Sequence, residues 1–365
     1  MMKRWQMMRE AADAFGQACS GKNLRALFGF DGYIDSLYAV VEHTDENGHP
    51  CCFQTSDGFL ACLAGLNGQS GERELKLKSR RAGGNAPLTA LAAGTLGIDA
   101  HCMGFIGADM PQFKELNTRC RTTSLGEPAE CMALEFANCK WMFSDCESLK
   151  GFKAEDLLRA DSEAFWGAVE ESQLLALLNW AAMGQNADVV KLLLDRYQKD
   201  DLLGKKTFFV DFSDISGLAQ QTVERYIKAV NLLAQCAHVV VSVNLHEAQS
   251  LAHGSGKDDE EEENLLDLIQ NMTGAGEVVL HAMDHALCLE KGMLYHCQGV
   301  YHPSPAITTG GGDHFNGGYC AATLAGLPAE QRLALATATA LFYVSHGYSG
   351  TLQQIVAWLD KRQAC

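Results

Sequence analysis

Four short apolar runs, at 24–30, 174–178, 207–211 and 238–243, each end in turn residues. Helical stretches at 186–198 and 219–235 separate the later ones. Buried strands alternating with helices leave few ways to fold, chiefly a mostly parallel, doubly wound sheet with helices on both faces. The expectation is therefore an α/β fold. Such sheets bind ligands just past the carboxyl ends of their strands, so chemistry is to be sought where each run stops.

The first run leads into Asp31-Gly32-Tyr33-Ile34-Asp35. A carboxylate can accept two hydroxyl hydrogen bonds and so fix a polyol. Asp35 is the stronger candidate and Asp31 the weaker, a solvated turn carboxylate being the plainer alternative. Next comes Arg81-Ala82-Gly83-Gly84-Asn85-Ala86-Pro87, ahead of an alanine-rich helix. Gly83 and Gly84 permit close backbone approach to a ligand, and Asn85 offers both a donor and an acceptor. The fourth run ends in Asn244-Leu245-His246-Glu247. This spacing is a capping-box pattern, and Glu247 near triphosphate oxygens would also hold Mg²⁺ through water. Both can be true. Last, Ile307-Thr308-Thr309-Gly310-Gly311-Gly312-Asp313 runs into a helix of small and apolar residues. Glycines opening a helix leave amides unpaired and facing outward, where the macrodipole also favours anions. A neighbouring carboxylate can take a proton from a nucleophile. Gly310, Gly311 and Gly312 thus form a candidate anion hole with Asp313 as base, unless the aspartate merely caps the helix.

The Thr309–Asp313 run resembles the D-T-x-G-A-G-D signature of the ribokinase-like (PfkB) sugar-kinase family, with Gly311 in the alanine place and Ile307 in the place of the first aspartate. Gly83–Asn85 is similar to the family's N-terminal glycine signature, Asn244–Glu247 to its N-x-x-E motif, and Asp35 falls where the family's sugar-contacting aspartate lies. The four features occur in the family's order across roughly residues 24–350. The resemblance implies an ATP- and Mg²⁺-dependent kinase acting on a hydroxyl of a small sugar, with Thr309, Asn244 and Glu247 on the nucleotide side. It implies a core of 1–35, 81–118 and 147–365, and a small β-sheet lid of 36–80 and 119–146 that often pairs two subunits into a homodimer. A plausible hairpin at 128–136 and 140–143 would join that lid or else edge the main sheet, and 74–78 alternates as a half-exposed strand does. The family's T-x-G-x-x-G nucleotide turn falls at 280–285, where Ala282 and His285 replace the glycines. The loop 345–350 would border the adenine.

Composition narrows the rest. Lys+Arg 29 against Asp+Glu 45 gives a net charge of −16, which argues against a nucleic-acid partner. Fourteen cysteines without a C-x-x-C pair or a secretory signal fit free thiols in a reducing cytoplasm. No run of 18 apolar residues suggests a membrane span. Gly16–Asn23 nearly spells a Walker loop, but it follows a helix and precedes a strand. Thr273–Glu277 nearly repeats the catalytic signature but leads into a strand. His281 and His285 lack a third ligand for a metal. The acidic run 257–263 is a solvated loop or helix start. A nucleoside kinase on the same fold and a non-catalytic sugar or nucleotide sensor remain as alternatives.

Overall fold

The computed structural model describes residues 2–197, 201–254, 256–257, 260–300, 302, 305–307 and 309–363. Residue 198 of the expected 186–198 helix, part of the acidic run (258 and 259) and Thr308 lie outside the described residues.

The main layer is a nine-stranded sheet. Its strands in chain order are β1 (Arg25–Phe30), β5 (Asp99–Gly104), β6 (Arg121–Ser124), β9 (Leu174–Leu177), β10 (Thr207–Asp211), β11 (His238–Val243), β12 (Glu277–His281), β13 (His285–Glu290) and β14 (Met293–Gln298). Across the sheet they run β14-β13-β12-β11-β10-β9-β1-β5-β6, all neighbours parallel except the antiparallel β12–β13 and β13–β14 pairs. The expected doubly wound α/β fold is thus found.

Two-residue alternation explains the layering, because successive side chains leave a strand on opposite faces. Leu27, Leu175, Phe208, Val239 and Val278 face one core, whereas Phe28, Ala176, Phe209, Val240 and Val279 face the other. The first is closed by the helices α6 (Asp156–Glu171), α7 (Asn186–Tyr197), α8 (Gln220–Ala234), α9 (Leu245–His253) and α10 (Glu262–Thr273). The second is closed by α1 (Met2–Cys19), α3 (Asn85–Thr95), α11 (Gly311–Ala325), α12 (Ala329–His346) and α13 (Leu352–Gln363). Each fully buried side chain of this size contributes roughly 1.5–3 kcal/mol. The middles of β9, β10, β11 and β12 are accordingly apolar.

A second sheet forms the lid: β2 (Tyr33–Thr44), β3 (Pro50–Cys52), β4 (Leu75–Gly83), β7 (Ala129–Glu135) and β8 (Lys140–Asp145). The 128–143 hairpin joins this lid, not the main sheet. β2 begins at Tyr33, and β6 pairs with β5 in the large sheet. β4 is also less covered than its alternation suggests. Leu75 and Leu77 are exposed along with the lysines between and after them. A short helix, α2 (Ser56–Gly65), packs Phe59 against Phe53, Phe136 and Trp141 on the outer part of the lid.

Both near-motifs fall as expected. α1 ends at Cys19 before β1, and Gly274 is a left-handed cap after α10. Among the described residues, no helix is long and apolar enough to cross a membrane.

Candidate active site

Asp31 stands at the end of β1 and is fully buried. Helix α3 opens at Gly84, which has no side chain to cap it. Asp31 supplies the cap from 54 residues away: its carboxylate accepts the amides of Asn85 (2.9 Å) and Ala86 (2.7 Å) and Nδ2 of Asn179 (2.7 Å). The expectation that Asp31 contacts sugar is therefore corrected. It lines neither of the two clefts described below, and its oxygens hold the Gly84–Ala86 helix start. Gly84 has φ +95, and a Cβ on Gly83 would lie 2.5 Å from the Asp35 carboxyl. Both glycines are thus required by geometry, one for backbone shape and one for space.

A cleft of about 540 Å³ opens between sheet and lid. Gly84, Asn85, Thr309, Gly310 and Asp313 line its core side, and Tyr33, Asp35, Cys131 and Ser144 its lid side. Thr309, expected on the nucleotide side, is among the residues lining this cleft. Burial raises the Asp35 carboxyl to about 6, against the pull of Arg81 and Lys140. Asp313 is pushed well above the usual carboxylate range, by burial first and then by Asp211, Asp31, Asp35 and Glu247. Asn85 donates to Ser213 Oγ at 2.9 Å.

Helix α11 begins at Gly310 in a left-handed conformation (φ +83). The amides of Gly311, Gly312 and Asp313 have no acceptor among the described residues. His314 locks the turn: Nδ1 lies 2.7 Å from the Gly310 carbonyl, Nε2 2.7 Å from Ser349 Oγ, and the ring stacks 3.5 Å from Tyr343. A carbonyl only accepts, so Nδ1 carries the proton. Burial holds this imidazole down at about 4, keeping it neutral. One turn after Asp313, Asn316 donates to Asp211 (2.7 Å) and accepts from Ser242 Oγ (2.7 Å). The helix that carries Asp313 is thereby tied to the ends of β10 and β11. Asp211, raised to about 6 by burial, accepts the Ser213 amide as well.

A second cleft, of about 610 Å³, lies on the other side of this turn. Asn244, His281 and Gly310–Gly312 form its polar wall, and Ile307, Ala340, Leu341 and Val344 its apolar wall. Ala282 and His285 of the expected nucleotide turn also line it, as does Met283. At its edge the capping box is complete: the Asn244 amide donates to Glu247 (2.8 Å) and the Glu247 amide to Asn244 Oδ1 (2.9 Å). Glu247 sits behind this wall, and burial, then Asp211, raises it to about 8. Among the described residues no group of three or more His, Cys, Asp or Glu side chains is placed to hold a metal directly. Asp211 raises the pKa of both Glu247 and Asp313, and Glu247 raises that of Asp313, with no cation among the causes. Such an all-oxygen set fits a hydrated hard cation such as Mg²⁺.

The sequence reading brought Asp35, Gly84, Asn85, Asn244, Thr309 and Gly310–Asp313 to the clefts, with Gly83 behind Asp35 and Glu247 behind the second wall. It missed Asp211, Asn316, His314 and Asn179. Asp211 could have been found by the strand-end rule that picked out Asp31. Asn179 and Asn316 act through partners 74 to 148 residues away, and His314 through Gly310, Tyr343 and Ser349.

A nine-stranded sheet, a β lid and two clefts meeting at a glycine-opened helix define the ribokinase-like (PfkB) class of sugar and nucleoside kinases. Solved structures agree on the fold. Adenosine kinase from Sinorhizobium meliloti superposes with a TM-score of 0.63 at 13% identity, over 94% of this chain and 99% of that one. A carbohydrate kinase from Agrobacterium tumefaciens gives 0.61 at 14%, over 92% and 97%. Ribokinase from Thermotoga maritima gives 0.59 at 14%, over 93% and 100%. Within that class the chain belongs to the prokaryotic ketohexokinase family, whose family model matches residues 8–362. It is also 24% identical over 342 residues to a ketohexokinase from Haloferax volcanii, covering 92% of this chain and 90% of that one.

Proposed function

We propose that this chain is an ATP- and Mg²⁺-dependent kinase that phosphorylates a hydroxyl of a ketohexose. One observation carries the reading: the acceptor-side and donor-side clefts share Gly310, with Asp313 in the first and Gly311 and Gly312 in the second. A phosphoryl group lying across that turn would face unpaired amides on one side and a carboxylate on the other. The family membership and the ketohexokinase relative support the choice of a ketose.

In the proposed reaction Asp35 and Asn85 orient the sugar, and Asp313 takes the proton as the acceptor O–H breaks. The new O–P bond forms as the β–γ bridging bond breaks, and its electron pair leaves on ADP. Amides of the Gly310–Gly312 turn stabilise charge on the transferring group. A carboxylate held above its ordinary pKa is the stronger base once ionised. Asn244 and Glu247 would hold Mg²⁺ through water; when bound, the ion neutralises phosphate charge. The lid excludes water, which would otherwise compete as acceptor.

The lid also supports a homodimer. By register, Leu77 opposes Tyr38, Leu75 opposes Val40, and Met132 lies between Ser36 and Phe143. These residues share the lid's outer face, where Leu75, Leu77, Met132 and Phe143 are exposed. A second copy of the same face would bury them. The described cysteines are all free thiols, as suits a reducing cytoplasm.

The test is ADP release from Mg·ATP over ketohexoses, aldohexoses, pentoses, keto-acid sugars and nucleosides. The reading expects the highest kcat/KM with a ketohexose. A nucleoside as best acceptor, or no turnover with any, would overturn it.

A further inference from the structure

The donor-side cleft has a chemical peculiarity. Among the described residues lining it there is no lysine or arginine, yet four histidines are present: His246, His281, His285 and His302. A polyphosphate there must be met by backbone amides, by metal and by imidazoles. Two of the rings are already engaged. His246 lies 3.6 Å from Asp214, and His285 is held between Glu262 (2.7 Å) and Asp284 (2.8 Å). His302 stands between residues outside the described set.

His281, the last residue of β12, differs. Neither ring nitrogen has a hydrogen-bond partner among the described residues, although the ring is firmly placed. Its Cε1 lies 3.0 Å from the point that a Cβ on Gly312 would occupy, with Nε2 and Nδ1 at 3.6 and 3.8 Å. On its other side the ring packs 5.1 Å from Phe315, tilted by 38°. The imidazole therefore lies over the first turn of α11, next to the unpaired amides. Burial holds its pKa down at about 4, so near neutral pH it presents one N–H donor and one acceptor without net charge. A single neutral donor beside an amide cradle suits a phosphate oxygen, because desolvating it costs less than desolvating a full charge.

We infer that His281 is a donor-phosphate contact: its imidazole N–H donates a hydrogen bond to an oxygen of the nucleotide's phosphate chain as that chain crosses the Gly310–Gly312 turn. This rests on the kinase reading above. It makes the 281–285 segment a side-chain contact site, in which a ring takes the place of a backbone donor.

The experiment is calorimetric titration of Mg·ADP into wild type, His281→Ala and His281→Gln, alongside melting curves and steady-state kinetics. His281→Ala is expected to weaken Mg·ADP and raise the KM for ATP about tenfold, the loss of one hydrogen bond to a charged partner. The KM for sugar should stay within about twofold and the melting temperature should not move. His281→Gln keeps a neutral N–H and should recover most of the affinity. Undiminished Mg·ADP binding by His281→Ala would overturn the inference. So would equal losses in both variants with lowered melting, which would make the ring a packing wedge. Wild type that binds Mg·ADP but phosphorylates no acceptor would contradict the kinase reading while leaving the contact to be judged by the titration. Wild type that binds no Mg·ADP would overturn both.

Discussion

Glu247 shows what burying a carboxylate beside others does to the protein that holds it. Its pKa rises from an ordinary 4.5 to about 8. Between those values the folded chain retains a proton that the unfolded chain has released, so stability falls as pH rises through that window. The favourable term is fully present only below about 4.5. Glu247→Gln keeps an acceptor for the Asn244 amide and carries no charge. It is predicted to be more stable than wild type by about 1–3 kcal/mol at pH 8 and indistinguishable near pH 4.5, as thermal unfolding at the two pH values would reveal. Its turnover at limiting Mg²⁺ should fall, the usual exchange of activity for stability at a charged site. At this scale the sequence was informative where function depends on local spacing, as in the Asn244–Glu247 box and the Gly310–Asp313 turn. It was silent where a side chain serves a distant one. Nothing near Asp31 in the chain says that it caps a helix beginning at Gly84, and nothing near Asn316 points to Asp211, 105 residues earlier.

Helix α11, which carries Asp313, is held at its middle as well as at its glycine turn. Arg332 on α12 donates to Glu277 (2.9 Å), Glu290 (2.7 Å) and the Tyr319 hydroxyl (3.2 Å), and that hydroxyl in turn donates to Glu277. Glu277 is only 1% exposed. Arg332→Met would leave its charge buried without its cation and should destabilise the fold by about 3–5 kcal/mol, seen as a lowered urea midpoint. The three C-terminal helices and the apolar strands were legible, because period-3.6 and short apolar runs are strong signals. The lid strands were less so. β2 and β4 shift register between Leu37 and Tyr38, and that irregularity puts Leu77 on the lid's outer face beside Tyr38. Pairing partners set this, and neither strand's own pattern records it.

Taken whole, the molecule leaves an apolar patch on the outside of its lid. If a second copy covers that patch, the wild type sediments as a dimer, and Leu77→Glu combined with Phe143→Glu yields folded monomers. Unchanged sedimentation of the double variant would place the interface elsewhere. The order of the motifs along the chain was enough to foresee a parallel sheet with a lid. The meeting of the two clefts was not foreseeable in the same way, since it depends on where β1, β10, β11 and α11 converge in space. The central claim concerns that meeting point, and turnover of Asp313→Asn tests it most directly. With Mg·ATP and the preferred ketohexose, the variant should lose on the order of 10²–10⁴ in kcat while keeping the wild-type Mg·ADP affinity and a melting temperature no lower than that of wild type. A folded Asp313→Asn enzyme that turns over within threefold of wild type would contradict the account.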